Sequence, residues 1–381
     1  MKTKMISKLC FLLTAASAVT VNLQAAPYLV IGDGAELFVT GTVGVRADDN
    51  VFLSTDAGRR AGTASQVVSD TIFEITPGVD LTFGKNAQLK GSLSSGVAFA
   101  NYSDNGRLDT TLANVNFRSN YDDGKLKLIT AAGYNELNQN SVDIRGLTRR
   151  DQTFLNGGGE VSVSEKTAVA GKFSFDKLNY KRAAYSDTDT LEVPLDVFYK
   201  VSPKVDMSLG YRYRDTQVQI GSDSQDNYFN VGARGEFSPK LTGSFNVGYN
   251  QRSLTRGKDQ DQFGFNADLG YELTPKTSLN FSASNDFGTS AAGDQQKNFS
   301  LNGRVSTKLS EVWSLGGGLS YRAIEYLTRT DDYVEGQISA TYVVNAYVGV
   351  SAGYTYRSNS SDLRGSEFTN NVFSLSANFR Y

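Results

Sequence analysis

The chemistry open to this chain is that of carboxylates and guanidiniums. The sequence contains no histidine, and its one cysteine, Cys10, lies in an N-terminal stretch that reads as an export signal. The hydrolases familiar on membrane barrels use a histidine as general base or as the group that activates water. A Ser-His or Asp-His centre therefore cannot be assembled, nor a metal site of the His/Cys kind. Acidic runs at Asp187-Thr188-Asp189, from Asp223 to Asp226 and at Asp331-Asp332 carry the hard oxygen ligands that Ca²⁺ takes, but such runs are more often solvated loop tips. Gly157-Gly158-Gly159 lacks the strand-to-helix context of a phosphate cradle and reads as a kink or close packing within a strand. The expectation is a protein with no catalytic residue, no cofactor and no resident metal.

The remaining charges are patterned. Arg118, Asp196, Arg212, Arg214, Arg234, Glu236, Asp268, Glu272, Arg304, Arg322 and Arg357 stand among Ser, Thr, Asn and Gly, at positions alternating with apolar ones. Lys172, Glu192, Lys308 and Arg380 follow the same rule. Side chains on a strand alternate between faces, so these residues share one wall. Inside a wide closed barrel that wall stays hydrated and tunes the preference for ions or solutes; alternatively the charges pair across the lumen and plug it. Arg212, Arg214, Arg322 and Arg357 lie toward the loop ends and are read as a basic entrance. Few aromatics share the face (Phe198, Tyr228, Tyr347), so an aromatic track for sugar rings is not expected.

The elements that carry this wall repeat. Ser202-Pro203-Lys204, Ser238-Pro239-Lys240, Thr274-Pro275-Lys276 and the degenerate Ser310-Glu311-Val312 each follow the last by 36 residues. A fixed period with a turn at its node marks one copied unit, here an antiparallel hairpin. Before the first node Leu191, Val193, Leu195, Val197, Tyr199 and Val201 share a face, and after it Val205, Met207, Leu209, Tyr211 and Tyr213 do. The N-terminal half has strands near 36–47, 69–83, 88–102, 110–121, 125–136, 153–163 and 168–180. Five later hairpins and a last strand from about Thr369 to Tyr381 bring the count to about eighteen. Short turns alternate with polar loops at 48–67, 137–152, 214–226, 250–261, 286–296, 322–333 and 358–368, the pattern of a membrane barrel with periplasmic turns and extracellular loops. The longest, 48–67 with Arg59 and Arg60, either folds inward as a constriction or stays on the surface. Pro77 and Pro194 break the rule that strand interiors avoid proline; a bulge would accommodate them.

Residues 1–26 have a basic start (Lys2, Lys4, Lys8), an apolar stretch from Leu9 to Val21 and small residues at Ala25-Ala26, the form of a signal peptide. Residues 27–381 then make one domain. Without the three signal lysines, 38 − 3 = 35 basic residues face 40 acidic ones, a net charge of −5, which leaves no basic footprint for nucleic acid. Alternation suits a soluble sandwich too, but three features favour lipid. Aromatics (Tyr121, Tyr134, Tyr180, Tyr199, Tyr211, Tyr213, Tyr249, Tyr271, Trp313, Tyr321, Tyr342, Tyr354, Tyr356) cluster where strands meet connections, as girdles do. The apolar face is nearly free of charge over the ~10 residues needed to cross a bilayer. So many strands in one sheet also leave costly edges unless the sheet closes.

At the C-terminus Phe373, Leu375, Ala377, Phe379 and Tyr381 alternate to the last residue. Ser374, Ser376, Phe379 and Tyr381 stand where the outer-membrane assembly signal has a polar residue, a small residue and two terminal hydrophobes. The chain after residue 26 resembles the outer-membrane β-barrel proteins grouped as beta-barrel porins of type two, some of which accompany exopolysaccharide gene clusters. The reading is all-β: a closed antiparallel transmembrane β-barrel of about eighteen strands (16–18) in the outer membrane of a diderm bacterium. The expected function is passive diffusion of small hydrophilic solutes or ions. The alternative is a non-enzymatic barrel for surface-polysaccharide export, adhesion or envelope assembly. Expected partners are outer-membrane lipids and lipopolysaccharide, the barrel-assembly machinery and the solutes; homo-oligomerisation is left open.

Overall fold

A computed structural model describes residues 23, 25–32, 34–55, 67–144 and 146–381. The predicted signal lies almost wholly outside the described residues, as do Arg59 and Arg60. The first strands are β1 (Leu29–Ile31), β2 (Ala35–Asp48), β3 (Asp70–Phe83), β4 (Leu89–Tyr102), β5 (Thr110–Asp122) and β6 (Leu126–Ser141). Next come β7 (Gly146–Ser162), β8 (Thr167–Tyr180), β9 (Thr188–Lys200), β10 (Val205–Val218), β11 (Ser224–Ser238), β12 (Leu241–Leu254) and β13 (Gln260–Thr274). The series ends with β14 (Thr277–Thr289), β15 (Gln295–Lys308), β16 (Trp313–Tyr326), β17 (Thr330–Val343), β18 (Val348–Ser361) and β19 (Phe368–Arg380). All nineteen join one sheet. β2 to β19 pair antiparallel in chain order, and β19 returns to β2 from Val372↔Asp48 to Arg380↔Thr40, closing a ring without edges. β1 lies outside the ring proper: it pairs with Ala35 to Leu37 of β2, below the point where β19 stops.

The two faces sort as alternation requires. Val43, Phe73, Leu195, Leu209, Phe229, Phe263, Leu319, Ile338 and Phe373 are exposed apolar side chains on the outside, the band that faces acyl chains. The opposite parity carries the charges and amides. Outside Tyr residues at the loop end donate to a neighbour on the following strand: Tyr211 to Asn227 at 2.7 Å, Tyr321 to Asp332 at 2.6 Å, Tyr354 to Asn371 at 2.7 Å, and Tyr249 to Asp261. An amphipathic ring with its hydroxyl paired is what an interface girdle needs. Tyr180 departs from the predicted girdle, because its position on β8 points it into the lumen.

The periodic node is a hydroxyl-capped turn. Ser202 Oγ accepts from the Lys204 and Val205 amides (3.3 and 3.0 Å), and Ser238 and Ser310 repeat the pattern. The hydroxyl supplies the acceptor that a tight turn otherwise lacks. Each turn is also tied to the next hairpin, as the Glu236 and Glu272 amides donate to the Lys204 and Lys240 carbonyls (2.9 and 2.8 Å). The two prolines cause no bulge. The β3–β4 pairing skips from Ile75↔Phe99 to Gly78↔Gly96, and β8–β9 from Gly171↔Leu195 to Ser174↔Glu192, each in unchanged register. A missing amide thus interrupts one ladder locally without moving the strand. The bulges lie at Glu236/Ser238 and Glu272/Thr274, beside the capped turns.

The long loops were over-predicted. Strand pairing runs through most of them, leaving 142–144, 219–223, 255–259, 290–294 and 327–329 as connections among the described residues. The segments are polar because they line the lumen or stand above the bilayer, not because they leave the sheet.

Candidate functional site

The inward wall has two regimes. In the half nearer the turns the charges are sparse and open. Arg118, Glu272 and Arg304 are exposed and have no ion pair among the described residues. Among the described residues Asp268 meets Asn266, at 3.4 Å, without an ion pair, and the predicted Asp196 has no ion pair either. Arg234 is clamped by Glu160 (2.7 Å) and Asp206 (3.1 Å) with its guanidinium 3.4 Å from the Phe198 ring centre. Glu236 pairs with Lys204 at the turn end, and Arg380 pairs with Asp80 at 2.9 Å over the Phe38 ring.

Toward the outer mouth the wall becomes a charge-compensated network, and the predicted basic entrance does not exist as such. Arg214 reaches Asp226 (2.5 Å) and Asp286 (3.0 Å), while Arg212 reaches Asp286 (2.9 Å) and lies over Tyr228. Glu192 stands 3.8 and 3.9 Å from the two. Arg357 is held by Glu335 at 3.1 Å. Arg322 alone of the four has no carboxylate within ion-pair distance among the described residues. Fully buried Arg252 grips both oxygens of equally buried Asp226 (2.6 and 2.8 Å) and donates to the Gly288 carbonyl and Gln295. Buried guanidiniums tolerate desolvation when their donors are matched in this way.

The matching partner comes from a hairpin that leaves the wall. β13 and β14 stay paired only up to Phe265↔Asn285, although β13 continues to Gln260. Beyond that point the β14–β15 tip leans into the lumen. There Asp286 meets Arg212, Arg214 and Asn250, and the Ala291 carbonyl accepts from the Ser186 amide at 2.8 Å. Backbone approaches backbone: a Cβ on Gly293 (φ +85°) would fall on the Ile220 carbonyl, and one on Gly221 (φ +122°) would lie 2.5 Å from the Gly293 oxygen.

Two more segments fold inward. The β6–β7 tip crosses to the far side of the ring, where Asp143 accepts from Gln296 (3.2 Å) and the Tyr326 hydroxyl (3.0 Å), and its carbonyl from Arg329 (3.0 Å). The start of the β2–β3 connection buries Val51 against Ile72, Ala100 and Tyr102, and Leu53 against Tyr333 and Phe368, with Val142 of the β6–β7 tip alongside. Its described part is thus an inward constriction, one of the two readings open from the sequence. Between the β6–β10 wall and the β14–β15 tip lies a cavity of about 370 Å³ that includes Gln152, Tyr180, Thr190, Thr216 and Thr289.

Members of each acidic run are engaged by protein partners, although Asp332 stays exposed. Asp187 accepts from the Tyr180 amide, Asp189 pairs with Lys177, Asp223 accepts from the Val218 amide and buried Asp331 pairs with Arg329. No group of three potential metal ligands forms among the described residues. Gly157 serves close packing, because the Phe173 ring occupies the place of its missing side chain. Tyr347 is not lumenal; it sits in a turn with its ring 5.4 Å from that of Tyr381 on the outside. The lumenal aromatics that sequence reasoning missed include Phe38, Tyr102, Tyr180, Tyr326, Tyr333, Phe287 and Phe368. It also missed Arg252 and Asp286, although extending the alternation past Tyr249 and Ala283 places both inward.

At the seam, Phe379 pairs with Gly41 and Val348, and Tyr381 exchanges backbone hydrogen bonds with Val39 (2.6 and 2.9 Å). Ser374 and Ser376 face inward beside Gly353 and Ser351.

A family model described as Putative beta-barrel porin 2 matches residues 92–381. Among solved structures, the outer membrane protein opdK from Pseudomonas aeruginosa is similar over 91% of this chain and 99% of that one, at 11% identity and TM-score 0.47. A BenF-like porin from Pseudomonas fluorescens shares 10% identity over 91% and 99%, at TM-score 0.49. OccAB3 from Acinetobacter baumannii shares 9% over 92% and 100%, at 0.47. Likenesses this distant bear on neither the solute nor any residue's role. No curated protein matches the chain.

Proposed function

Because the chain belongs to the beta-barrel porin 2 family, and is thus a porin of the Gram-negative outer membrane, we propose that its lumen passes small hydrophilic solutes and ions by passive diffusion. The path is narrowed at the outer mouth by the β2–β3, β6–β7 and β14–β15 segments, and no catalysis takes place in it. The observation that carries this reading is the contrast between the two regimes of the wall. A plug built to seal would pair its charges throughout, yet Arg118 and Arg304 stand exposed without a carboxylate partner. In this reading Arg118, Asp196, Asp268, Glu272, Arg304 and Arg322 face the permeating solution. Arg212, Arg214, Arg234, Glu236 and Arg357 are tied up in holding the wall and the constriction.

Ser374, Ser376, Phe379 and Tyr381 serve as the signal for the barrel-assembly machinery, and the outer tyrosine belt meets lipid and lipopolysaccharide. Partner capture by the loops has less to rest on, since 250–261 and 322–333 leave only 255–259 and 327–329 outside strands.

A unit charge ~4 Å from a passing ion is worth about 1 kcal/mol in water. Replacing Arg118→Glu together with Arg304→Glu is therefore expected to shift the anion-to-cation permeability ratio roughly fivefold toward cations. Reversal potentials across a KCl gradient in planar bilayers read this out. An unchanged ratio would remove both residues from the conducting wall.

A further inference from the structure

We propose that the chamber beneath the β14–β15 tip is a binding site for a neutral polyhydroxylated solute of about monosaccharide size. The proposal rests on the porin reading and adds selectivity to it. The chamber, of about 370 Å³, lies at the lower end of the ~300–1,000 Å³ typical of small-ligand sites. It lies in the lumen's outer half, between the β6–β10 wall and the β14–β15 tip.

Its charged lining groups already have protein partners. Arg214 holds Asp226 and Asp286, and Arg252 holds Asp226, Gln295 and the Gly288 carbonyl. Asp143 accepts from Gln296 and Tyr326, while Arg150 donates to Thr148 (3.4 Å) and Gln139 (3.2 Å). Arg150 and Asp143 have only neutral side-chain partners among the described residues, but they are opposite in sign, so an ion of either charge would lose hydration without meeting a net counter-charge.

The lining hydroxyls are in the opposite condition. Among the described residues those of Tyr180, Thr190, Thr216 and Thr289 have no hydrogen-bond partner, although Thr216 is 5% exposed. Each can donate and accept, and they are contributed by the adjacent strands β8, β9 and β10 on one side and by the inward tip on the other. A ring of hydroxyls on a solute matches them. No aromatic track is expected from the sequence, and the recognising groups are instead hydroxyls on three neighbouring strands faced by the inward tip.

The test uses purified full-length protein in proteoliposomes with three solutes of one size and different charge: glucose, glucuronate and glucosamine. Swelling is expected to be severalfold faster with glucose than with either ion. Glucose should also block the salt current through single channels in a saturable way. Thr190→Val with Thr216→Val removes two hydroxyls at nearly constant volume and is expected to raise the half-blocking glucose concentration roughly tenfold, the loss of two hydrogen bonds. Tyr180→Phe provides a second, smaller shift should the double variant fail to insert. Entry of glucuronate or glucosamine as fast as glucose, or half-block unchanged in the variants, overturns the proposal and leaves the porin reading standing. Absence of swelling and of current with every solute overturns both.

Discussion

Gly293→Val is expected to raise single-channel conductance severalfold. Gly293 sits where the β14–β15 tip lies against the 219–223 connection with no side chain between the two backbones, and a Cβ there would coincide with the Ile220 carbonyl. Its φ of +85° adds a second penalty, about 1–3 kcal/mol for a residue other than glycine. The cheapest relief is for the tip to swing away from the wall, because β14 is already free of β13 beyond Asn285. The swing opens the chamber and removes one of the three constricting segments. Rigid barrel pairing elsewhere is untouched, so the variant should still show the heat-modifiable mobility of a folded barrel. A folded variant with the parent's conductance would mean that the tip does not limit the path.

Asp226→Asn should be the most destabilising single change in the lumen, by about 3–5 kcal/mol. Asp226 is fully buried and lies between Arg214 and Arg252, accepting on both oxygens from Arg252 and on one from Arg214. Asparagine keeps the shape but removes the charge and turns one acceptor into a donor facing a guanidinium. Arg214 retains Asp286, but Arg252 is left with only neutral acceptors, Gln295 and the Gly288 carbonyl. A buried cation without its counter-ion is what makes breaking such a pair costly. The urea midpoint should fall markedly, and channels that still insert should become more anion-selective. A midpoint within error of the parent's would show that water reaches this network and screens it.

The barrel was legible in the residues because lipid and water impose opposite demands on alternate positions of every strand. Phe229, Val231 and Phe245 on one parity, with Arg234 and Asp268 on the other, leave little choice of fold once the count of segments forces closure. The hydroxyl-capped nodes gave the phase, since Ser202, Ser238 and Ser310 cap their turns locally. The site was less legible for a geometric reason. Asp286 meets Arg214 across 72 positions, and Asp143 meets Tyr326 across 183. These contacts arise because two hairpin tips turn off the wall, and nothing local in 141–146 or 286–295 distinguishes a polar tip bent inward from one standing in solvent. Charge type misled for the same reason. Arg212, Arg214 and Arg357 looked like a basic entrance because their carboxylate partners lie on other strands.

The central claim is that the barrel conducts through a narrowed mouth, and planar-bilayer recording of the unmodified protein tests it most directly. Discrete, small steps in KCl are predicted, with larger steps from Gly293→Val under the same conditions. A folded, heat-modifiable barrel that yields no steps in either form would contradict it.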